Sequence, residues 1–146
     1  MKMTVRKAML ADLPRLLDLY TLLDFDPPKK LSLEDARLRF LRYQQYPDYC
    51  VYVAESAGAI VGTFAQIMID SVAHGGKPFG IVEDVVVSRD HQGEGVGKEM
   101  MQFAMARCHD KGCYKLMLSS HLKREQAHKF YESLGFEKHG FSFLIQ

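Results

Sequence analysis

Two adjacent carboxylates stand in a valine-rich run that leads into a glycine-rich turn. Glu83 and Asp84 lie inside the run at 81–88, and the turn at 92–97 has glycine at positions 93, 95 and 97. Glycine lets the backbone approach an anion closely, and a helix that begins there directs unpaired N–H groups and its positive dipole end at that anion. A carboxylate beside such a turn is placed to act as a base. The segment therefore predicts an enzyme that uses a nucleotide-bearing cofactor.

The spacing of the turn excludes two common phosphate-binding loops. A dinucleotide fingerprint requires glycine three residues after Gly95, where this chain has Lys98. A P-loop requires serine or threonine after its lysine, and Glu99 stands there instead. A plain connection between strand and helix remains an alternative. Glycine in the first turn of a helix costs about 1 kcal/mol relative to alanine, however, which implies a reason for its presence.

Length, composition and charge favour one domain that binds a small ligand. The chain has 146 residues, of which 47% are hydrophobic, so we expect a single domain over 1–146. The formal net charge is +1 and like charges form no run, which argues against nucleic acid or a membrane surface as the main partner. No apolar segment has the length of a membrane span or signal sequence, so the sequence predicts a cytoplasmic protein.

The cysteines and histidines do not form a metal site in the sequence. Cys50, Cys108 and Cys113 are an odd and scattered set, which is typical of reduced thiols in a cytoplasmic protein. The six histidines are equally dispersed, and no pair has a zinc-binding spacing with a third ligand. We therefore expect no metal.

Hydrophobic periodicity and turn residues predict an alternation of strands and helices. The predicted elements are, in chain order, a strand over 3–8, a helix capped by Asp12, a break at Pro27-Pro28, a helix capped by Ser32 that runs to about Gln45, a hairpin of strands 49–55 and 59–70, a loop over 71–78, the strand 81–88, a helix over 95–111 stopped by Gly112, a strand over 114–120, a helix over 124–134, and two short strands within 136–145.

Two segments about forty residues apart carry a family resemblance. Residues 92–97 match the pattern [RQ]-x-x-G-x-[GA], and residues 127–136 read A-x-x-F-Y-x-x-L-G-F. With the order of elements, they resemble the GNAT superfamily of N-acetyltransferases. The resemblance implies the α+β (α/β three-layer) GNAT acyl-CoA N-acyltransferase fold. In that fold a mixed central sheet of six or seven strands, splayed between the fourth and fifth, is flanked by about four helices.

The resemblance also implies transfer of an acetyl group from acetyl-CoA to an amine. The pantetheine arm is then expected to lie along backbone groups of Val85, Val86 and Val87, where the fourth strand splays at a bulge, while their side chains pack in the core. The pyrophosphate is expected to meet the N–H groups of Gln92, Gly93, Glu94, Gly95, Val96, Gly97 and Lys98.

Acetyl transfer to an amine requires a base, and Glu83 is the candidate. Regular alternation along the strand places it on the face of Ile81 and Val85, with Asp84 on the opposite face. In related enzymes a glutamate often stands at this position. Asp84 is the rival base, and a structural role as hydrogen-bond acceptor remains open for both carboxylates.

A proton donor for the departing thiolate is the second requirement, and the resemblance assigns it to Tyr131. The alternative is a tyrosine that packs its ring between helix and sheet. Many relatives have asparagine seven residues before this tyrosine, where the present chain has Arg124. A contact from Arg124 to phosphate or to substrate is expected in its place.

The resemblance points to a small primary amine as the acceptor. Segments of the chain look like the glucosamine-6-phosphate, aminoalkylphosphonate and aminoglycoside N-acetyltransferases. Arg37, Arg39 and Arg42 lie near one another on a predicted helix and either clamp an anionic group or are simply solvated. A protein or peptide N-acetyltransferase and a non-catalytic acetyl-CoA-binding module remain alternatives. The family also leads us to expect a homodimer.

Overall fold

The chain folds into five strands and four α-helices within residues 2–23 and 29–146, which the computed structural model describes. The strands are β1 (Met3–Lys7), β2 (Tyr49–Ser56), β3 (Ala59–Ile69), β4 (Phe79–Val87) and β5 (Leu116–Met117). The helices are α1 (Leu13–Tyr20), α2 (Leu33–Tyr43), α3 (Val96–Lys111) and α4 (Glu125–Ser133). None of these four helices has the length and apolar character that crossing a bilayer requires. The predicted break at Pro27-Pro28 lies outside the described residues.

The strands form one mixed sheet in the order β1-β2-β3-β4-β5. The first four strands are antiparallel neighbours, whereas β5 runs parallel to β4. The β4–β5 pairing covers only Gly80 with Leu116 and Ile81 with Met117. Beyond Ile81, β4 has no strand partner on that side within the described part of the chain. The predicted splay between the fourth and fifth strands is therefore confirmed.

Helices cover both faces of the sheet, as the three-layer prediction requires. On one face, Leu16 of α1 and Phe40 of α2 pack with Val53 of β2. On the other face, Met100 of α3 packs with Phe64 of β3, and aromatic residues of α4 lie against the same cluster. Leu16, Val53, Phe64 and Met100 are fully buried, and Phe40 nearly so. Two apolar layers thus hold the sheet between the helix pairs.

The two predicted helix caps differ in the structure. Ser32 caps α2 as expected, because its Oγ accepts a hydrogen bond from the N–H of Asp35 at 3.1 Å. Asp12 precedes α1, but its carboxylate does not cap that helix. It accepts instead from the N–H of Met9 at 2.7 Å and from the guanidinium of Arg6 at 2.8 Å. The carboxylate thus stabilises a short 3-10 turn before α1.

The C-terminal end of α3 lies where the sequence predicted it. Gly112 follows the helix with φ 79°, a left-handed conformation that favours glycine. The N–H of Cys113 donates to the carbonyl of Cys108 at 2.9 Å, which satisfies a carbonyl at the helix end. The turn into β5 is fixed by these backbone bonds.

The end of the chain corrects two predictions. The strand predicted over 114–120 is reduced to Leu116–Met117, and no strand forms within 136–145, so the sheet has five described strands rather than six or seven. Phe141, Phe143 and Ile145 alternate as in a strand, yet they are 89%, 95% and 96% exposed. A strand exists only with a neighbour to receive its hydrogen bonds, and this segment has none within the described residues.

The glycine turn and the α4 segment meet in the folded chain. A Cβ built on Gly97, in the first turn of α3, would lie 2.9 Å from Cζ and 3.2 Å from Cε1 of Phe130. Real Cβ atoms do not approach ring carbons so closely, so α3 can pack on this ring only because residue 97 is glycine. This contact explains by packing why residue 97 is glycine.

We expect Gly97→Ala to lower the free energy of unfolding by about 1 kcal/mol. Displacing the Phe130 ring costs about 1–3 kcal/mol, which exceeds the roughly 1 kcal/mol that alanine gains over glycine in a helix. Urea denaturation of the unliganded protein measures the difference.

Phe130→Leu supplies the matched background for this measurement. Without the ring, Gly97→Ala is expected to be neutral or stabilising. Equal effects of Gly97→Ala in both backgrounds would show that the ring does not restrict residue 97.

Candidate active site

Strand β4 carries the two candidate bases and contains a bulge at their position. Glu83 pairs with Ala65 of β3, but the next pair joins Val86 to Thr63, so the register shifts between them. Asp84 has φ 53°, a left-handed conformation that costs a non-glycine residue on the order of 1 kcal/mol or more. Surrounding structure must hold this residue in place. The strained backbone of β4 therefore coincides with the two candidate bases.

The bulge overturns the regular alternation predicted for this strand. Val82 belongs to the core cluster beneath α3, and Val85, three residues later, packs against the same cluster. In an uninterrupted strand, residues three apart lie on opposite faces. The prediction that Glu83 shares a face with Val85 is therefore wrong. The regular alternation that predicted opposite faces for Glu83 and Asp84 is interrupted at the same place.

The two carboxylates influence each other and a common tyrosine. Both residues are largely solvent-exposed. Partial burial of the carboxyl group, and then the charge of Asp84, raise the pKa of Glu83 above its usual value. The pKa of Tyr49 is raised by burial and then by Asp84 and Glu83 in that order. A raised pKa makes Glu83 a stronger base than an ordinary carboxylate.

The glycine turn leaves the start of α3 open. Gly93 and Gly95 have φ 81° and 86°, and no atom lies within 4 Å of where their Cβ atoms would be. Gly95 precedes the helix and offers no side chain to cap it. The first N–H groups of α3 have no partner inside the helix, as at every helix start. Helix starts that are open in this way bind anions in many proteins.

The remaining residues of the predicted phosphate site lie around this opening. Gln92, Glu94 and Lys98 are exposed, whereas the side chain of Val96 is buried in the core beneath α3. Gln92 Nε2 donates to the carbonyl of Val87 at 3.4 Å, which ties the turn to the end of β4.

Tyr131 lies half-buried on α4 beside the start of α3. Its ring contacts Phe130 and Phe136 at centroid distances of 5.1 and 5.8 Å, and Phe130 in turn packs under Gly97. Burial raises the pKa of Tyr131, and the nearby charge of Arg124 opposes that rise. The hydroxyl therefore stays protonated at neutral pH. The ring packing that was the alternative for Tyr131 is therefore present, and its role as a proton donor stays a prediction.

Arg124 makes a contact that sequence reasoning missed. Its guanidinium donates hydrogen bonds to the carbonyl oxygens of Leu22 and Leu23, which follow the end of α1. The residue thus connects the start of α4 to the α1 side of the molecule across about a hundred positions of sequence. Nothing in the local sequence signals such a long-range partner. A contact from Arg124 to cofactor or substrate stays a prediction.

Other residues singled out in the sequence have surface positions. Arg37, Arg39 and Arg42 are exposed along α2. The loop over 71–78 lies at the Phe79 end of β4, opposite the glycine turn, where His74 stacks on Tyr114 at 4.3 Å. This stacking holds the loop against the start of β5.

The sequence and fold resemble known acetyltransferases. Residues 16–136 match the model of the Acetyltransferase (GNAT) family. Glucosamine 6-phosphate N-acetyltransferases from Trypanosoma brucei brucei and Arabidopsis thaliana are 36% and 34% identical over 61% and 70% of this chain. The matches cover 58% and 68% of those relatives.

A solved structure extends the similarity over the whole chain. A Trypanosoma brucei acetyltransferase superposes with a TM-score of 0.83 at 28% identity, covering 99% of both chains. The family match spans the splayed strands, the glycine turn and the α4 segment. The protein therefore belongs to the GNAT family of acetyltransferases.

Proposed function

We propose that this acetyltransferase transfers the acetyl group of acetyl-CoA to a primary amine of a small molecule. One observation carries the proposal. The unpaired edge of β4, the carboxylate of Glu83 and the open N-terminus of α3 follow one another along fifteen residues of chain, 83–97. An extended amide-containing arm fits an unpaired strand edge, and a pyrophosphate fits an open helix start.

The residues present suit acetyl-CoA, which would supply the activated acetyl thioester. Backbone groups of Val85, Val86 and Val87 lie on the unpaired part of β4 and would bind the pantetheine arm as an added strand. The backbone over 92–98 would receive the pyrophosphate, and the open space at Gly93 and Gly95 leaves room for it. Lys98 and Arg124 would add positive charge to this side of the site.

Glu83 is proposed as the general base. An ammonium group must lose a proton before its nitrogen attacks a carbonyl, and a carboxylate of raised pKa takes that proton more readily. Burial and the neighbouring charge of Asp84 supply the rise in the pKa of Glu83. Asp84 would thus tune the base, although it is also the rival for the same role.

Tyr131 is proposed as the general acid. Its pKa is raised by burial, so its hydroxyl carries a proton at neutral pH and can donate it to a departing thiolate. Packing of its ring between Phe130 and Phe136 fixes the direction of the hydroxyl. Arg124 holds the start of the same helix.

The acceptor is proposed to be an amino sugar, an aminophosphonate or a similar small amine. The names of the two relatives reported above favour a phosphorylated amino sugar. The exposed Arg37, Arg39 and Arg42 of α2 would supply positive charge for a phosphate or phosphonate group. Acceptors that are proteins or peptides, and binding without catalysis, are the competing possibilities.

Acetyl-CoA turnover, followed as released thiol, tests the proposal. Glucosamine 6-phosphate, glucosamine, 2-aminoethylphosphonate, an aminoglycoside and a peptide with a free N-terminus form the panel, with Glu83→Gln as the matched control. We expect the phosphorylated amino sugar to be turned over fastest and Glu83→Gln to be at least tenfold slower. Turnover of the peptide alone would support the protein acetyltransferase, and acetyl-CoA binding without thiol release would support the non-catalytic module.

The Asp84→Asn variant separates the two candidate bases by pH. If Glu83 is the base, removing the charge of Asp84 lowers the pKa of Glu83, so the acidic limb of kcat/KM moves to lower pH. Asparagine also accepts the left-handed conformation found at position 84, so the bulge is retained. The measurement is the pH–rate profile of wild type and variant. Loss of activity at every pH would instead identify Asp84 as the base.

Tyr131→Phe keeps the ring contacts and removes only the hydroxyl. We expect kcat to fall by roughly 10²-fold with little change in acetyl-CoA affinity, because the variant cannot protonate the thiolate. Calorimetric binding of acetyl-CoA and steady-state kinetics measure the two quantities. Turnover near that of wild type would remove Tyr131 from the mechanism.

A cytoplasmic homodimer is also proposed. Phe141, Phe143, Leu144 and Ile145 are 83–96% exposed, and a second copy that pairs with this segment would cover them. The three free cysteines agree with a reducing compartment.

Light scattering of wild type and of a Phe141→Ser, Phe143→Ser double variant tests the dimer. We expect twice the chain mass for wild type and a single-chain mass for the variant, because the variant loses the apolar surface that pairing would bury. A wild type of single-chain mass would contradict the proposal.

A further inference from the structure

A polar cavity lies at the end of the sheet away from the glycine turn. It has a volume of about 220 Å³, and its walls include Lys7, Tyr52, Gln66 and Arg107. Gln66 pairs with Val82 across β3 and β4, five residues before the end of β4. At about 3.3 Å per residue, Gln66 is therefore roughly 16 Å along the sheet from the end of β4 that leads into the turn. The cavity is therefore separate from the proposed pyrophosphate site, although the Val82 partner of Gln66 directly precedes Glu83 in β4.

Gln66 presents a buried acceptor that lacks a donor. The residue is 2% exposed, and its Nε2 donates to the carbonyl of Ala104 at 2.9 Å and to Cys108 Sγ at 3.3 Å. A carbonyl only accepts hydrogen bonds, so this contact fixes which end of the amide faces α3. The opposite end, Oε1, is buried and has no partner within the described residues. A buried amide oxygen without a hydrogen-bond donor destabilises the fold.

Arg107 presents the complementary group, a buried donor that lacks an acceptor. Its Nε is buried and has no hydrogen-bond partner within residues 2–23 and 29–146. The guanidinium lies over the ring of Tyr52, with its Cζ atom 5.6 Å from the ring centroid. The carboxylate that also lines the cavity, Asp48, is paired with Lys111 at 3.0 Å.

The charge and the two unmatched groups define the chemistry of an occupant. Arg107 and Lys7 make the cavity positive, and the Arg107 Nε–H requires an acceptor. Gln66 Oε1 requires a donor from the same occupant. A simple carboxylate satisfies only the first group, whereas a small oxyanion with its own hydroxyl, amino or acidic proton satisfies both. The volume is many times that which one water molecule needs.

We infer that this cavity is a second binding site, for a small oxyanion that also carries a hydrogen-bond donor, such as a hydroxy acid, an amino acid or hydrogen phosphate. The oxyanion accepts from Arg107 Nε–H, and the donor bonds to Gln66 Oε1. The site contains no residue of the proposed acetyl-transfer machinery, so it binds its ligand without acetyl-CoA.

Nuclear magnetic resonance titration of the full chain tests the site. The probes are glycolate, glycine and inorganic phosphate, with acetate as the matched oxyanion that has no donor at neutral pH. We expect at least one donor-bearing probe to shift both the side-chain amide signal of Gln66 and the Nε–H signal of Arg107, and to bind at least tenfold tighter than acetate. Unchanged signals with all probes would show that only water fills the cavity.

Two variants at position 107 define the contact further. Arg107→Lys retains the charge but loses the Nε–H, and Arg107→Gln loses both, so we expect binding to weaken at least tenfold in each. Lys138→Gln, an exposed change elsewhere, is expected to bind as wild type. Equal binding by all four proteins would reveal general ion association and overturn the site.

Acetyl transfer by Arg107→Gln separates this inference from the proposed function. Its turnover is expected to match wild type, because the residue lies outside the acetyl-transfer site. A loss of turnover in a variant that unfolds at the wild-type temperature would contradict the independence of the two sites.

Discussion

Strand β4 pairs with β3 from Phe79 to Val87, interrupted only by the bulge at residues 84–85, and it pairs for only two residues on its other side. A strand inside a sheet is normally paired on both edges, because buried backbone N–H and C=O groups without partners destabilise the fold. The bulge at Asp84 adds strain to the same strand. A strained strand with one largely unpaired edge is stable here because it packs beneath α3 and is hydrogen-bonded to β3 on its other edge. The sheet therefore keeps an opening that a ligand can complete.

The helices bring the proposed catalytic groups to this opening. Eight residues separate the end of β4 from the start of α3, and Gly97 lets α3 pack directly on Phe130 of α4. That contact also sets the position of Tyr131, the residue next to Phe130. Arg124 connects the same helix to the α1 side of the molecule. The proposed base is thus on the sheet and the proposed acid on a helix, so each is held by a different layer. The second cavity is at the far end of the sheet and shares none of these contacts.

Sequence reasoning succeeded where local chemistry determines structure. The hairpin of β2 and β3, the Ser32 cap and the Gly112 stop depend on residues close in sequence, and all three are confirmed. The splay and the three layers followed from the family resemblance. The prediction that Val85 shares a face with Glu83 was wrong because of the bulge. A bulge depends on how β4 pairs with β3, and the alternation of residues within one strand carries no information about that pairing.

The missing strands within 136–145 and the Arg124 contact have the same physical origin. Alternating apolar residues indicate a preference for extended structure, but a strand forms only beside another strand. The carbonyl groups bound by Arg124 are about a hundred residues away, and no local pattern encodes them. The tertiary partner decided each of these features.

Binding of coenzyme A, followed residue by residue through backbone amide signals, tests the central claim most directly. If the open edge and the glycine turn hold the cofactor, the amides of 85–87 and 92–98 will shift and become protected from hydrogen exchange, while those of β1 remain unchanged. Coenzyme A that binds tightly but leaves the amides of 85–87 unaffected would contradict the assignment of the unpaired β4 edge as its site.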